Sequence, residues 1–217
     1  PDGDELRFNW NAGLTWDPFE NRKIYLGSQF LHESVDQGRS WNIISPDLTT
    51  NDPAKQRFRE SGGLTIDASG AETHTTIISV GPSTLEPGLI WIGTDDGNIQ
   101  VTQDGGESWL NVRDSVPGLL HGIWIPDVQP SRHQVGRAYL VAEDHRRGDW
   151  TPYVYVTEDY GVTWRSLSSP NVDGFVHAIE EDPENPDLLF LGTEFGLRVS
   201  FDRGENWEKY ISGVPAV

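Results

Sequence analysis

One eight-residue motif occurs four times in this chain of 217 residues and constrains its fold more than any other feature. The motif reads Ser or Thr, any residue, Asp, any residue, Gly, any residue, usually Ser or Thr, and then Trp. Its copies are SVDQGRSW at 34–41, TQDGGESW at 102–109, TEDYGVTW at 157–164 and SFDRGENW at 200–207. Such recurrence indicates that one supersecondary unit is repeated along the chain.

Each copy has the composition of a tight turn followed by a bulky apolar anchor. The Asp can accept hydrogen bonds from backbone N–H groups further along the turn, and the Gly can adopt the positive φ that such turns need. The Trp can bury roughly 150–250 Å² between neighbouring sheets. We therefore predict a structural role, not a catalytic one, for these side chains. They are Asp36, Gly38, Trp41, Asp104, Gly106, Trp109, Asp159, Gly161, Trp164, Asp202, Gly204 and Trp207.

Strand-like runs flank every copy of the motif. At the second copy, the run LIWIGTDDGNIQVT leads into the motif, and the run WLNV begins at its Trp. A further apolar run, such as TTIISV or VHAIEE, begins each unit. Short apolar and β-branched runs separated by Gly, Pro and Asp predict β-strands joined by tight turns. The pattern predicts four units of four antiparallel strands, at about 7–45, 71–113, 119–168 and 174–212.

These octets resemble the Asp-box, or BNR, repeat of β-propellers, which is shared by sialidases, xyloglucanase-type glycoside hydrolases and sortilin or Vps10-like proteins. The resemblance implies an all-β fold, a β-propeller made of four-stranded antiparallel blades with Asp-box turns. Propellers of this kind commonly close with six or more blades, so we expect the four blades to be a section of a larger propeller. The resemblance also implies an extracytoplasmic or secreted location.

Charge and composition argue against several classes of function. The chain has 34 acidic and 16 basic side chains and a net charge of −18, which opposes binding to nucleic acids and to anionic membranes. No apolar run approaches the roughly 18 residues that membrane insertion requires. The absence of Cys excludes thiol catalysis and thiolate metal sites. The sequence also contains no phosphate loop, dinucleotide fingerprint, nucleophile elbow or zinc motif.

The turns at the end of the sheets opposite the octets are the predicted functional surface. Two long insertions fall there, at 45–72 and 143–151, and long loops in compact repeat proteins are often functional. Carboxylates and arginines can hold sugar hydroxyls, and a Trp can stack on a ligand, although exposed loops are also polar simply because water surrounds them. The candidate ligand-binding residues are Asp67, Glu72, His74, Asp95, Asp96, Glu143, Asp144, His145, Arg146, Arg147, Trp150 and Glu194.

We predict neither a metal site nor a cofactor. His74, His121 and His177 each lie near the start of an innermost strand and can face a common channel, but their surroundings lack the ligand spacing of a metal site. The GTDDG turn at 93–97 is compatible with calcium but lacks the alternating ligands of a dedicated calcium loop. A structural turn is the favoured interpretation.

Three functions are consistent with the sequence, and we rank them in this order. The first is a noncatalytic module that binds a glycan, a peptide or another protein, including a chain or domain that completes the propeller. The second is a polysaccharide-active glycoside hydrolase, whose two carboxyl groups must lie about 5 to 5.5 Å apart for retention or roughly 6.5 to 9.5 Å apart for inversion. The third is a structural subunit of an assembly, with its open blade edges pairing against other subunits to complete a ring or an assembly.

Overall fold

A computed structural model describes residues 5–59 and 73–211 of the chain. These residues form four antiparallel four-stranded sheets and only short 3₁₀ segments. The first two sheets contain β1 (Leu14–Trp16), β2 (Ile24–Gly27), β3 (Leu31–Ser34), β4 (Asn42–Ile43), β5 (Ile77–Pro82), β6 (Ile90–Thr94), β7 (Ile99–Thr102) and β8 (Leu110–Asn111). The other two contain β9 (Trp124–Pro130), β10 (Ala138–Asp144), β11 (Asp149–Thr157), β12 (Arg165–Ser166), β13 (Val176–Glu181), β14 (Leu189–Thr193), β15 (Gly196–Ser200) and β16 (Glu208–Lys209). The 3₁₀ segments are Pro53–Arg59, Arg113–Ser115 and His145–Arg147.

Each sheet is a simple meander in which spatial order follows chain order. The first strands β1, β5, β9 and β13 contact one another from sheet to sheet, so they lie innermost and the fourth strands lie at the rim. The predicted all-β fold of four antiparallel blades is confirmed. Among the described residues, no helix has the length and apolarity needed to cross a lipid bilayer.

Three apolar clusters fill the spaces between successive sheets, and each joins one sheet to the next. The second and third sheets are covered on both faces, and their strands β6 and β10 are buried along their whole length. In the described residues, no contact of similar extent joins the fourth sheet to the first. The four blades therefore form an open arc, and Leu14 and Trp16 remain exposed on the outer face of the first sheet.

Glycines at the ends of the second strands allow the sheets to approach closely. A Cβ atom on Gly27 would lie 2.6 Å from Ile77 of the next innermost strand, and one on Gly93 would lie 2.6 Å from the carbonyl oxygen of Ile125. Any larger residue would push the sheets apart at these positions. Gly192 occupies the same position in the fourth sheet, where a Cβ would meet only Ala178 of its own sheet, at 3.9 Å.

Side chains of the innermost strands also tie neighbouring sheets together. Ser79 Oγ accepts a hydrogen bond of 3.0 Å from the backbone N–H of Val128, and Asp127 Oδ2 accepts one of 3.0 Å from Ile179. Burial raises the pKa of the Asp127 carboxyl to about 7, despite that hydrogen bond. These bonds satisfy N–H groups that have no partner strand on the inner edge of a blade.

The eight-residue motifs form the turns between the third and fourth strands, which we call the aspartate corners. In the corner at 157–164, Asp159 Oδ1 accepts hydrogen bonds from the Thr157 hydroxyl at 2.9 Å and the Thr163 N–H at 2.8 Å, and Oδ2 accepts one from the Thr163 hydroxyl at 2.7 Å. Gly161 has a φ of +87° and donates its N–H to Thr157. Hydrogen bonds from Ser40 and Ser108 lower the pKa of Asp36 and Asp104 to about 2 in the same way.

The Trp of each corner packs onto the sheet that precedes its own. Trp207 is 1% exposed and donates its indole N–H to the Leu167 carbonyl at 2.9 Å, and Trp164 packs edge-on against Trp91. Trp41 is 37% exposed. The expectation that every corner Trp is wedged between two sheets is therefore wrong at the first corner, because no described sheet precedes the first one.

This difference predicts unequal stability effects at equivalent positions. Trp207→Ala should lower the free energy of unfolding by about 3–5 kcal/mol, because it leaves a cavity between the third and fourth sheets. Trp41→Ala should cost well under half as much, since its ring is partly in water already. Urea denaturation of both variants measures the two losses, and equal losses would contradict this account of the corners.

Candidate functional site

The turn between β10 and β11 projects from the end of the third sheet opposite the aspartate corners. After Asp144 the chain makes one 3₁₀ turn over His145–Arg147, and Gly148 closes it in the left-handed conformation, with a φ of +81°. The Gly148 N–H donates to the His145 carbonyl at 2.9 Å. The short closure directs the His145 side chain towards Phe175, just before the fourth sheet, and the Arg146 side chain over Trp124 at the start of β9.

Glu143 lies at the centre of this region and is 2% exposed. Its Oε1 accepts a hydrogen bond from Arg146 at 3.0 Å, and its Oε2 is 2.9 Å from Nδ1 of His177 and 3.5 Å from Nδ1 of His145. Burial by itself raises the pKa of this carboxyl, but His177, His145 and Arg146 together lower it. The contact with Glu143 in turn raises the pKa of His177. Glu143 is therefore an ionised internal anchor for three neighbouring cationic or titratable groups.

Four rings form a cluster around this anchor, which we call the aromatic patch: His145, Trp150, Phe175 and His177. The His145 ring stacks on Phe175 with centroids 4.4 Å apart, Trp150 lies 5.6 Å from Phe175, and His177 meets Phe175 edge-on at 5.0 Å. Phe175 is buried, whereas Trp150 is 51% exposed and the His177 side chain 57% exposed. The patch thus presents an indole and an imidazole to solvent on a packed base.

Two residues that the sequence interpretation missed hold the patch in place. Phe175 supplies its base, and the buried Trp124 carries the Arg146 guanidinium over its ring at 3.5 Å. Such a cation–π contact fixes an arginine that also binds Glu143. The available signal was positional, since Trp124 begins β9 and Phe175 immediately precedes β13. Both positions are innermost-strand starts that must face the loop end.

Glu194 lies beside the patch in the turn between β14 and β15. Its backbone N–H donates to the Phe175 carbonyl at 3.1 Å, and its Oε2 is buried near Gly174, whose Cβ would lie 3.3 Å away. Five of the predicted residues thus reach this region: Glu143, His145, Arg146, Trp150 and Glu194. The insertion at 143–151 and the GTEFG turn meet here, because both connect a second strand to a third strand and so lie at the same end of the sheets.

The predicted surface role of Asp95, Asp96 and His74 is not what the structure shows, because all three side chains are buried. Asp95 accepts hydrogen bonds from the N–H and hydroxyl of Thr76, and burial raises its pKa to about 7. Asp96 accepts hydrogen bonds from the N–H and hydroxyl of Thr50, at 2.7 and 2.6 Å. Asp96 therefore anchors the first insertion, whereas Asp95 holds Thr76, just before β5, and the side chain of Asn9.

The remaining predicted residues fall elsewhere. Asp144 is nearly buried and pairs with Arg147 at 3.0 Å, and Arg147 also donates to the Gly122 carbonyl at 2.8 Å. Burial raises the pKa of Asp144, and the Arg147 charge opposes that rise. This pair faces a separate cleft on the loop end and not the aromatic patch. Asp67 and Glu72 lie outside the described residues.

No three His, Asp or Glu side chains are arranged as metal ligands within residues 5–59 and 73–211. The three histidines that were considered as a channel-lining group are separated. His74 is buried against Trp124, His121 lines the cleft near Arg147, and His177 belongs to the aromatic patch.

Solved structures with the same arrangement of sheets share little sequence with this chain. An ancestral GH74 enzyme superposes with a TM-score of 0.63 at 17% identity, over 97% of this chain and 26% of that protein. The GH74 xyloglucanase from Xanthomonas campestris gives 0.61 at 22% identity, over 92% of this chain and 29% of that protein. YCF48 from Cyanidioschyzon merolae gives 0.55 at 13% identity, over 98% of this chain and 59% of that protein.

These similarities establish a β-propeller fold and leave the activity open, because one fold serves many functions. The chain spans less than two thirds of each of these proteins. No protein-family model matches the sequence, and no curated protein sequence matches it either.

The contact between Glu143 and His177 predicts a titration that the neighbouring carboxylate controls. In Glu143→Gln the negative charge is lost, so the pKa of His177 should fall towards or below its ordinary value. NMR titration of the imidazole resonances measures this shift, with His121 as the internal control because it lies in the separate cleft. An unchanged His177 midpoint would contradict the contact.

Proposed function

We propose that this chain is a noncatalytic binding module whose aromatic patch binds a segment of a partner protein. The observation that carries the proposal is the exposed pair of Trp150 and His177 on the rigid base of Phe175. Binding energy in protein interfaces concentrates in such aromatic and arginine-rich clusters, where a preordered side chain loses little entropy on binding. An extracytoplasmic location remains part of the proposal on the family resemblance alone.

The arrangement of the rings favours a protein segment over a flat sugar. Only His145 stacks flat on Phe175, at 20°; the two exposed rings do not, since Trp150 is tilted by 46° and His177 by 83° relative to Phe175. This produces an uneven surface with an exposed imidazole at its margin. Apolar side chains and backbone carbonyl groups of an extended peptide complement such a surface, because both ring faces and ring edges are available.

Three carboxyl groups, Asp95, Asp127 and Glu143, support a noncatalytic role. Hydrolysis of a glycosidic bond needs an accessible carboxyl that stays protonated near neutral pH. Asp95 has a pKa raised to about 7 but is fully buried, and Asp127, with a similar pKa, lies on the innermost strands, where it bonds to the backbone of β13. Glu143, the carboxylate at the patch, has a lowered pKa. None of the three combines protonation with access at the loop end.

Peptide and glycan arrays test this proposal directly. The wild-type chain should bind a subset of peptides, and Trp150→Ala should weaken that binding about tenfold, because an interface anchor is removed. The matched control is Trp16→Ala, which removes an equally large exposed indole from the first sheet, away from the patch. Binding to glycans alone would redirect the proposal to carbohydrate recognition, and release of sugar from a polysaccharide would overturn the noncatalytic role.

The outer face of the fourth sheet favours a second role, packing against a further sheet from another chain. Gly192 faces open space here, whereas Gly27 and Gly93 each receive the innermost strand of the next sheet. Ala178, Phe190 and Leu197 line the shallow pocket around it. The equivalent glycines of the first two sheets contact Ile77 and Ile125, so we infer that an apolar side chain of a further sheet packs at Gly192.

Sedimentation of the chain at a series of concentrations tests this packing. Association should occur, and Ala178→Arg should abolish it, because a charged side chain blocks the pocket at Gly192. Val162→Arg, which adds the same charge at an exposed position of an aspartate corner, serves as the control. A chain that stays monomeric throughout the concentration series would contradict association through this face.

A further inference from the structure

A second cleft lies at the loop end, on the other side of the β10–β11 turn from the aromatic patch. It has a volume of about 480 Å³ and lies where the first insertion meets the loops before β9 and after β8. Three Lys and Arg side chains line it together with three Asp side chains, Asp52, Asp96 and Asp114. The residues that matter for its chemistry are Thr50, Lys55, Arg113, His121, Gly122 and Arg147.

Lys55 is the unusual member of this set. Its Nζ is buried and has no hydrogen-bond partner among the described residues. A buried ammonium group is costly unless a partner compensates for the water it has lost. The described residues of the cleft therefore provide no hydrogen-bond acceptor for the Lys55 ammonium group.

Lys55 and Arg147 converge on one glycine. A Cβ atom placed on Gly122 would lie 2.8 Å from Lys55 Nζ and 3.5 Å from a terminal nitrogen of Arg147. The absence of a side chain at Gly122 thus lets two cationic groups approach its backbone closely. Gly122 also has a φ of +67°, a conformation that favours glycine.

The carboxylates around the cleft already have partners. Asp144 is paired with Arg147, and Asp96 accepts hydrogen bonds from Thr50 and Thr94. Asp114 is paired with Arg113 at 2.8 Å. None of these carboxylates forms an ion pair with Lys55 among the described contacts, although the Lys55 charge acts on Asp144 from a longer distance. They nevertheless set the local field, since they keep the region from becoming strongly positive.

We infer that this cleft is a subsite for one carboxylate of the bound peptide, held over Gly122 by Lys55 and Arg147. A carboxylate has two oxygens, so it can accept from the ammonium and the guanidinium together in charge-assisted hydrogen bonds. A singly charged group supplies the acceptor that Lys55 Nζ lacks, whereas a dianionic phosphate would face stronger repulsion from Asp96 and Asp144. The side chain of Asp or Glu is the peptide group with this chemistry.

This subsite deepens the proposed function, because it assigns an acidic residue to the peptide that the aromatic patch binds. The two surfaces flank the same turn, with Arg146 directed to the patch and Arg147 to the cleft. One extended segment that crosses the turn can therefore place an apolar side chain on Trp150 and a carboxylate on Lys55. Arg146 and Arg147 are neighbours in the sequence, and their side chains point to different surfaces, one to the aromatic patch and one to the cleft.

The test uses sodium acetate as the probe and two-dimensional NMR of the full chain as the readout. Acetate should shift the backbone amide resonance of Gly122 in a saturable manner, in excess of the effect of sodium chloride at equal ionic strength. Lys55→Gln should weaken this binding about tenfold, since one charge-assisted hydrogen bond is lost. Lys209→Gln is the matched control, because it removes the same charge from the exposed strand β16.

The outcomes separate the subsite from the proposed function. Absence of a saturable Gly122 shift, or an equal effect of the two lysine variants, would overturn the subsite. Tighter binding of inorganic phosphate than of acetate would overturn the assignment to a carboxylate. Because acetate does not need the aromatic patch, Trp150→Ala should leave the Gly122 titration unchanged even where it abolishes peptide binding. A spectrum of Lys55→Gln with wild-type dispersion elsewhere shows that the variant is folded.

Discussion

Every sheet of this protein has two faces, and the need to cover both is the constraint on which the rest of the structure depends. The second and third sheets satisfy it fully, because Gly27 and Gly93 let neighbouring sheets approach until apolar side chains interlock. The first and fourth sheets satisfy it on one face only. Stacking at this spacing also brings the turns between second and third strands together at one end. Both candidate surfaces at the loop end are consequences of that stacking.

The many carboxylates of this acidic chain do different work according to their surroundings. At the aspartate corners, hydroxyl and N–H donors hold Asp36 and Asp104 ionised and lower the pKa, while at Asp95 burial outweighs similar donors and raises it. Glu143 is buried as well, but the cationic groups beside it keep it charged. Since the acidic groups at the loop end are largely engaged internally, the side chains offered to a ligand there are Trp, His, Lys and Arg.

Local sequence patterns predicted much of the fold and part of the candidate site. Strand alternation and the turn chemistry of the octets predicted sixteen strands in the observed order, and the insertion at 143–151 led to Glu143 and Trp150. The GTDDG turn misled, because a short Asp-rich turn looks solvent-exposed until the insertion near Thr50 is seen to cover it. Phe175 was missed because the sequence around a single aromatic residue does not indicate which distant ring stacks on it.

The sequence by itself determined the order of the strands and how the aspartate corners close, because strand alternation and the hydrogen bonds of each corner are local properties of the chain. Only the tertiary structure decided which distant side chains meet, such as Glu143 with His177, or Lys55 with Gly122. These contacts depend on the spacing and rotation of one sheet on the next. That geometry results from packing across the whole arc, so no single stretch of the chain records it.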